Sequence, residues 1–144
     1  MIEPNDARAH YNLAQALQSD GRAVDSIDHY REAVRLQPNW VGPLNGLAWM
    51  LATHPDARAN HPKQALELAL RAAELTEHRQ PSVLDTLAVA HAAAGDFENA
   101  VKSAERALDL FGAGEQLVST QTMDRIHARL QRYRQGKAYV EPQD

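Results

Sequence analysis

The stretch Ala-Gln-Ala-Leu-Gln-Ser-Asp-Gly-Arg-Ala-Val-Asp-Ser-Ile at residues 14–27 returns, altered but aligned, as Ala-Val-Ala-His-Ala-Ala-Ala-Gly-Asp-Phe-Glu-Asn-Ala-Val at 88–101. Each copy reads as a helix end, a glycine turn and a helix start. Before Gly21, Leu13, Ala14 and Leu17 fall at helical spacing, and after it Ile27, Tyr30, Ala33, Val34 and Leu36 continue the pattern until Pro38. The second copy places Leu87, Ala88 and His91 before Gly95, then Phe97, Ala100, Val101, Ala104, Ala107, Leu108 and Leu110 after it. A helix pair of this kind cannot bury its apolar side alone, so the repetition predicts pairs stacked on one another.

Composition closes off the other fold classes. Apolar residues at 44% and charged residues at 24% are the balance of a folded chain, well away from disorder. Strand-forming residues are scattered, with aromatics at only 6%, so no half-buried strand pattern emerges. With 144 residues, one folding unit is expected. Cysteine is absent, which excludes disulfides and thiol chemistry. No apolar run approaches the roughly 18 residues of a membrane span, and the expectation is of a soluble piece without direct membrane insertion. A net charge of -4 argues against a broad nucleic-acid surface.

The pattern resembles the tetratricopeptide repeat (TPR) family, whose repeat of about 34 residues alternates large and small positions before a closing proline. Residues 7–40 fit it with His10, Leu13, Ala14, Leu17, Ser26, Tyr30, Ala33 and Pro38; residues 81–112 fit with Leu84, Leu87, Ala88, His91, Ala100, Ala104 and Ala107, but carry Gly112 in place of the proline. Between them lies a degenerate copy, residues 41–80, opened by Leu44, Leu47, Ala48 and Leu51 and closed by Ala65, Ala69, Ala72 and Leu75 around a long polar loop at 53–62. The fold expected is an all-α, right-handed α-solenoid of three TPR helix pairs plus a C-terminal capping helix over 113–137. Helices are expected near 7–19, 22–37, 41–53, 62–76, 81–94, 97–111 and 115–135. Residues 1–6 read as the tail of a preceding repeat, and 138–144 as a flexible tail. The segments at 51–57, 84–88 and 132–139 resemble the C-terminal end of large bacterial TPR proteins, some of which carry a membrane glycosyltransferase region upstream. The chain is therefore expected to be a piece of a longer protein. On its last helix, Leu117, Met123, Ile126, Leu130 and Tyr133 share a face, while Arg125, Arg129, Arg132 and Arg134 read as a solvated face mostly off it.

The resemblance also implies a concave face lined by the first helix of each pair. The residues it assigns there are Arg8, Tyr11, Asn12, Gln15 and Gln18, then Gly42, Asn45, Gly46, Trp49 and Ala52, then Ser82, Asp85, Thr86, Val89 and Ala92. The partner-binding groove expected from these is Arg8, Tyr11, Asn12, Gln15, Asn45, Trp49, Asp85 and Val89. Asn, Gln and Tyr suit hydrogen bonding to an extended backbone, and Trp49 suits an anchor. Two roles stay open for Trp49, groove anchor or core beneath the 53–62 loop. Asp85 serves either a ligand or its own helix N-terminus. Trp40, at a copy boundary, reads as packing between repeats. TPR modules that clamp a terminal carboxylate use a basic residue and an asparagine four apart, as Arg8 and Asn12 stand here. Gly46, Ser82 and Thr86 replace the remaining clamp residues, so that clamp is incomplete.

No spacing for a nucleophile, a metalloprotease or a phosphate loop is present, so no catalytic residues and no cofactor are expected. His54, Asp56 and His61 share the long loop but lack convincing metal-ligand spacing, and His10 and His91 sit where the family packs a large side chain. The expected function is a non-catalytic scaffold that binds a peptide or helical segment of a partner protein. The alternative is a structural cap of a longer array whose activity lies upstream. Repeat edges from Ala7 to Leu17 are candidates for self-association.

Overall fold

The computed structural model describes residues 5–56, 61–113 and 120–141. Within them lie seven helices of 13 to 17 residues: α1 (Ala7–Ser19), α2 (Ala23–Leu36), α3 (Val41–Thr53), α4 (Pro62–Leu75), α5 (Pro81–Ala93), α6 (Phe97–Ala113) and α7 (Thr120–Arg134). No strand occurs among the described residues, and none of their helices is long and apolar enough to cross a membrane. The fold is an all-α helical repeat solenoid. Each helix packs on the next along the chain, and α3 also packs on α5.

The helix ends follow from local chemistry. The Asp6 side chain accepts from Ala9 N at 3.1 Å and caps α1. At the start of α6, Asp96 accepts from Asn99 N at 3.1 Å in the same way. Pro62 and Pro81 open α4 and α5, where a missing N–H costs nothing. Gly21 and Gly95 adopt φ of +75° and +86°. Each left-handed glycine lets the residue after it reach back five positions, Arg22 N to Leu17 O at 2.8 Å and Asp96 N to His91 O at 2.9 Å. The two echoing segments of sequence thus make the same turn.

Small residues set the distance between helices. Ala14, Ala33, Ala48, Ala69, Ala88, Ala100 and Ala107 have no exposed surface, and Leu44, Leu47 and Leu51 fill the space between axes. Ile126, Leu130 and Tyr133 bury the inner face of α7 against this core.

Three sequence expectations are corrected. Arg129, read as part of the solvated face, is buried, with 8% of its surface exposed. Residues 138–141, read as flexible tail, run back from α7 to the end of α3, where Glu141 N donates to Thr53 O at 2.9 Å. Thr53 ends α3, so its carbonyl lacks a partner within the helix, and the returning segment supplies one. The α6 helix runs to Ala113, two residues past its expected end. Residues 1–4, 57–60, 114–119 with Leu117, and 142–144 lie outside the described residues, so the readings made on them do too.

Candidate partner-binding groove

The first helices, α1, α3 and α5, carry the residues assigned to the groove, and the structure divides them into two halves. On α1, Arg8, Asn12 and Gln15 recur at i, i+4 and i+7 and all face solvent. Tyr11 lies beside them, half-buried. Its ring meets Trp40 edge-on at 4.8 Å between centroids, and its hydroxyl accepts from Gln15 Nε2 at 3.1 Å. Trp40, the last residue of the first copy, thus packs back on α1. Gln18 Oε1 accepts from the Tyr30 hydroxyl at 2.7 Å. Burial pushes the Tyr30 phenol up to about 12, with the Tyr11 hydroxyl adding to the shift. Burial also raises Tyr11, so both rings remain neutral donors at ordinary pH.

Gly42 and Gly46 were assigned to the groove as residues, but they act as sockets. A Cβ on Gly42 would lie 2.9 Å from the Tyr11 hydroxyl oxygen, and one on Gly46 would lie 2.6 Å from Tyr30 Cε1. The two tyrosines of the first pair seat themselves on α3 only because these positions have no side chain. Asn45, between them, is half-buried, and its Oδ1 has no hydrogen-bond partner among the described residues.

The other half is filled from within the chain. Trp49 Nε1–H donates to Glu141 Oε1 at 3.1 Å. The Tyr139 ring stands 6.2 Å from the Trp49 ring, and its hydroxyl is 3.3 Å from Glu141 Oε2. The Arg129 guanidinium lies 5.2 Å from the centroids of both rings, in cation–π range. Its Nη2 donates to Asp85 Oδ1 and Oδ2 at 2.9 and 2.7 Å. Burial pushes the Asp85 carboxyl up, against the opposing pull of the Arg129 charge. Arg132 holds the return of the chain by donating from Nε and Nη2 to Ala138 O at 3.2 and 2.9 Å. Beside this cluster remains a cavity of about 500 Å³ lined by Trp49, Asp85, Thr122, Arg125, Arg129, Tyr139 and Glu141.

Trp49 is half-buried, and what covers it is the 138–141 segment. Asp85 meets an arginine 44 residues away in place of a helix terminus. Val89, assigned to the groove, is fully buried and presents no surface; Ala52, Thr86 and Ala92 are buried as well, with Thr86 Oγ1 donating to Ser82 O at 3.1 Å. Sequence reasoning missed Arg129, Tyr139 and Glu141. A signal existed for Arg129: with Ile126, Leu130 and Tyr133 it forms an i, i+3, i+4, i+7 stripe, the buried face of α7. Its charge concealed the pattern.

The histidines lie elsewhere. His10 is buried on α1 and stacks on His29 of α2, with Nδ1 atoms 3.0 Å apart, one ring donating and the other accepting. His54 follows α3 and His61 precedes α4. Among the described residues no group of three or more ligating side chains is placed to hold a metal ion.

The family pattern described as Tetratricopeptide repeat matches residues 7–40 and again residues 81–112. The human protein O-mannosyl-transferase TMTC1 is 36% identical over 55 residues, which are 38% of this chain and 6% of that protein's length. This match spans a small fraction of the relative. Among solved structures, the type III secretion translocator chaperone SycD of Yersinia enterocolitica superposes with a TM-score of 0.70 at 15% identity, covering 94% of this chain and 88% of that one. The first TPR of Spaghetti (RPAP3), bound to the HSP90 peptide SRMEEVD, gives 0.63 at 18% identity, covering 90% and 97%. Residues 7–40 and 81–112 are tetratricopeptide repeats, and the fold that carries them along nearly the whole chain is the one these solved structures share.

Proposed function

We propose that this chain is a non-catalytic protein-interaction scaffold whose concave face, carried by α1, α3 and α5, takes an extended segment of a partner protein. One observation carries the reading. That face already grips a non-helical stretch of polypeptide, residues 138–141, through a backbone hydrogen bond at Thr53, a side-chain bond from Trp49 and ring contacts. A surface that holds four residues of its own chain has the chemistry to hold a partner's. Arg8, Asn12, Gln15 and Asn45 supply the donors and acceptors of the open half, with Tyr11 as its aromatic wall, and Trp49 and Asp85 belong to the half now covered. Val89 supports this surface from beneath. The HSP90 peptide held by the similar TPR of Spaghetti is consistent with the reading, although the carboxylate clamp is incomplete here.

Peptides selected on the full chain from a random displayed library test the proposal. Affinity should fall when Asn12→Ala or Trp49→Ala is introduced; peptides that bind wild type and both variants equally would contradict it. Burial of Asp85 and Trp49 under α7 and the returning segment favours a second reading, a terminal cap for a longer array. A library that yields no peptide dependent on this face would select that reading.

A further inference from the structure

Segment 138–141 occupies its place by a particular chemistry. An aromatic ring, Tyr139, shares the Arg129 guanidinium with Trp49, and two residues later a carboxylate, Glu141, accepts from the Trp49 indole N–H. Arg125 lines the same cavity and adds positive charge to it. The segment does not fill the site, since about 500 Å³ remains beside it. It is held by hydrogen bonds at Ala138, Glu141 and Trp49 and by ring contacts at Tyr139. Lifting it away would leave the Asp85–Arg129 pair in place, with the indole N–H and one face of the guanidinium free to receive a new occupant.

We propose that residues 138–141 are an internal competitor, and that this half of the face takes a partner segment carrying an aromatic residue followed two positions later by Asp or Glu. The inference rests on the reading of the face as a peptide site. The partner is recognised by its ring on Arg129 and Trp49 and by its carboxylate at the indole N–H, beside the cavity that Arg125 lines. Affinity for such a segment is set by how far it outcompetes the local concentration of the chain's own Tyr139 and Glu141.

The test uses the full chain and a fluorescent peptide copying residues 136–144. The variant Tyr139→Ala/Glu141→Ala, which empties the site of its competitor, should bind this peptide about tenfold or more tightly than wild type does, as release from an intramolecular rival requires. Glu141→Gln alone, which keeps the shape of the segment, should give a smaller gain in the same direction. Adding Trp49→Ala to the double variant should remove the gain, and a peptide with alanine at both key positions should bind neither protein. Equal binding of the copied peptide to wild type and double variant, or binding to neither, overturns the proposal. Library peptides that depend on Asn12 but are indifferent to the Tyr139 and Glu141 changes would sink this inference while leaving the scaffold reading intact. A library with no peptide dependent on the face would remove the scaffold reading itself.

Discussion

The two halves of the first-helix face are built from the same repeat and end in opposite states. In the half made by α1 and the start of α3, Arg8, Asn12 and Gln15 stand in water, and the floor is two tyrosines seated on two glycines. In the half made by the end of α3 and by α5, Trp49 and Asp85 are covered by Arg129, Tyr139 and Glu141. The repeat dictates where side chains point, but the segment that follows the last repeat decides which of them meet solvent. An array position is therefore a poor guide to exposure wherever a non-repeating segment can reach it.

The largest expected effect is in the covered half. Asp85→Ala should destabilise the fold by about 3–5 kcal/mol in urea denaturation, because it strands a buried guanidinium. Converting both members to apolar residues, as Asp85→Leu/Arg129→Met, should recover most of that loss. If the single and double variants lost the same stability, the covered half would not be organised around this pair.

In the open half the sensitive points are the sockets and not the groove side chains. Gly46→Ala should cost about 1–3 kcal/mol by driving a methyl into the Tyr30 ring, a clash that outweighs the roughly 1 kcal/mol gained in helix propensity. An unchanged denaturation midpoint would show that Tyr30 can leave its seat freely.

His91, at the end of α5, gives the comparison a pH axis. Burial holds its imidazole below the usual histidine range, with Asp96 opposing. The folded state therefore binds fewer protons than the unfolded one. Stability is full above the ordinary histidine value and falls as pH drops through it toward the depressed folded value. The slope for this one group is at most about 1.4 kcal/mol per pH unit. His91→Gln should flatten that part of the stability profile; an identical profile would remove His91 from the balance. The smallest effects belong to the open surface: Arg8→Ala and Asn12→Ala should each change stability by less than about 0.5 kcal/mol, so any binding they lose in a titration reports contact and not folding.

The helices and turns were legible in the sequence because their determinants are local. Gly21 and Gly95 mark the turns, alanines recur at packing spacing, and prolines open α4 and α5, all within a few residues of what they control. The covered site was not legible because its members lie far apart: Trp49 and Glu141 are 92 positions distant, and no periodicity links a repeat to a segment outside it. Gly42 and Gly46 were placed on the correct helix but assigned to the groove, since a missing side chain does not announce which ring will fill its space. Arg129 had the spacing of a buried residue and the charge of an exposed one, and only the carboxylate of Asp85 across the interface resolves that conflict.

The indole N–H resonances of Trp40 and Trp49 in the full chain give the most direct measurement. With Glu141 seated on Trp49, replacing it by alanine should shift the Trp49 indole signal and speed its exchange with water, while the Trp40 signal stays where it is. A Trp49 signal that neither moves nor exchanges faster would mean that residues 138–141 do not cover this half of the face, and the contrast between its two halves would be lost.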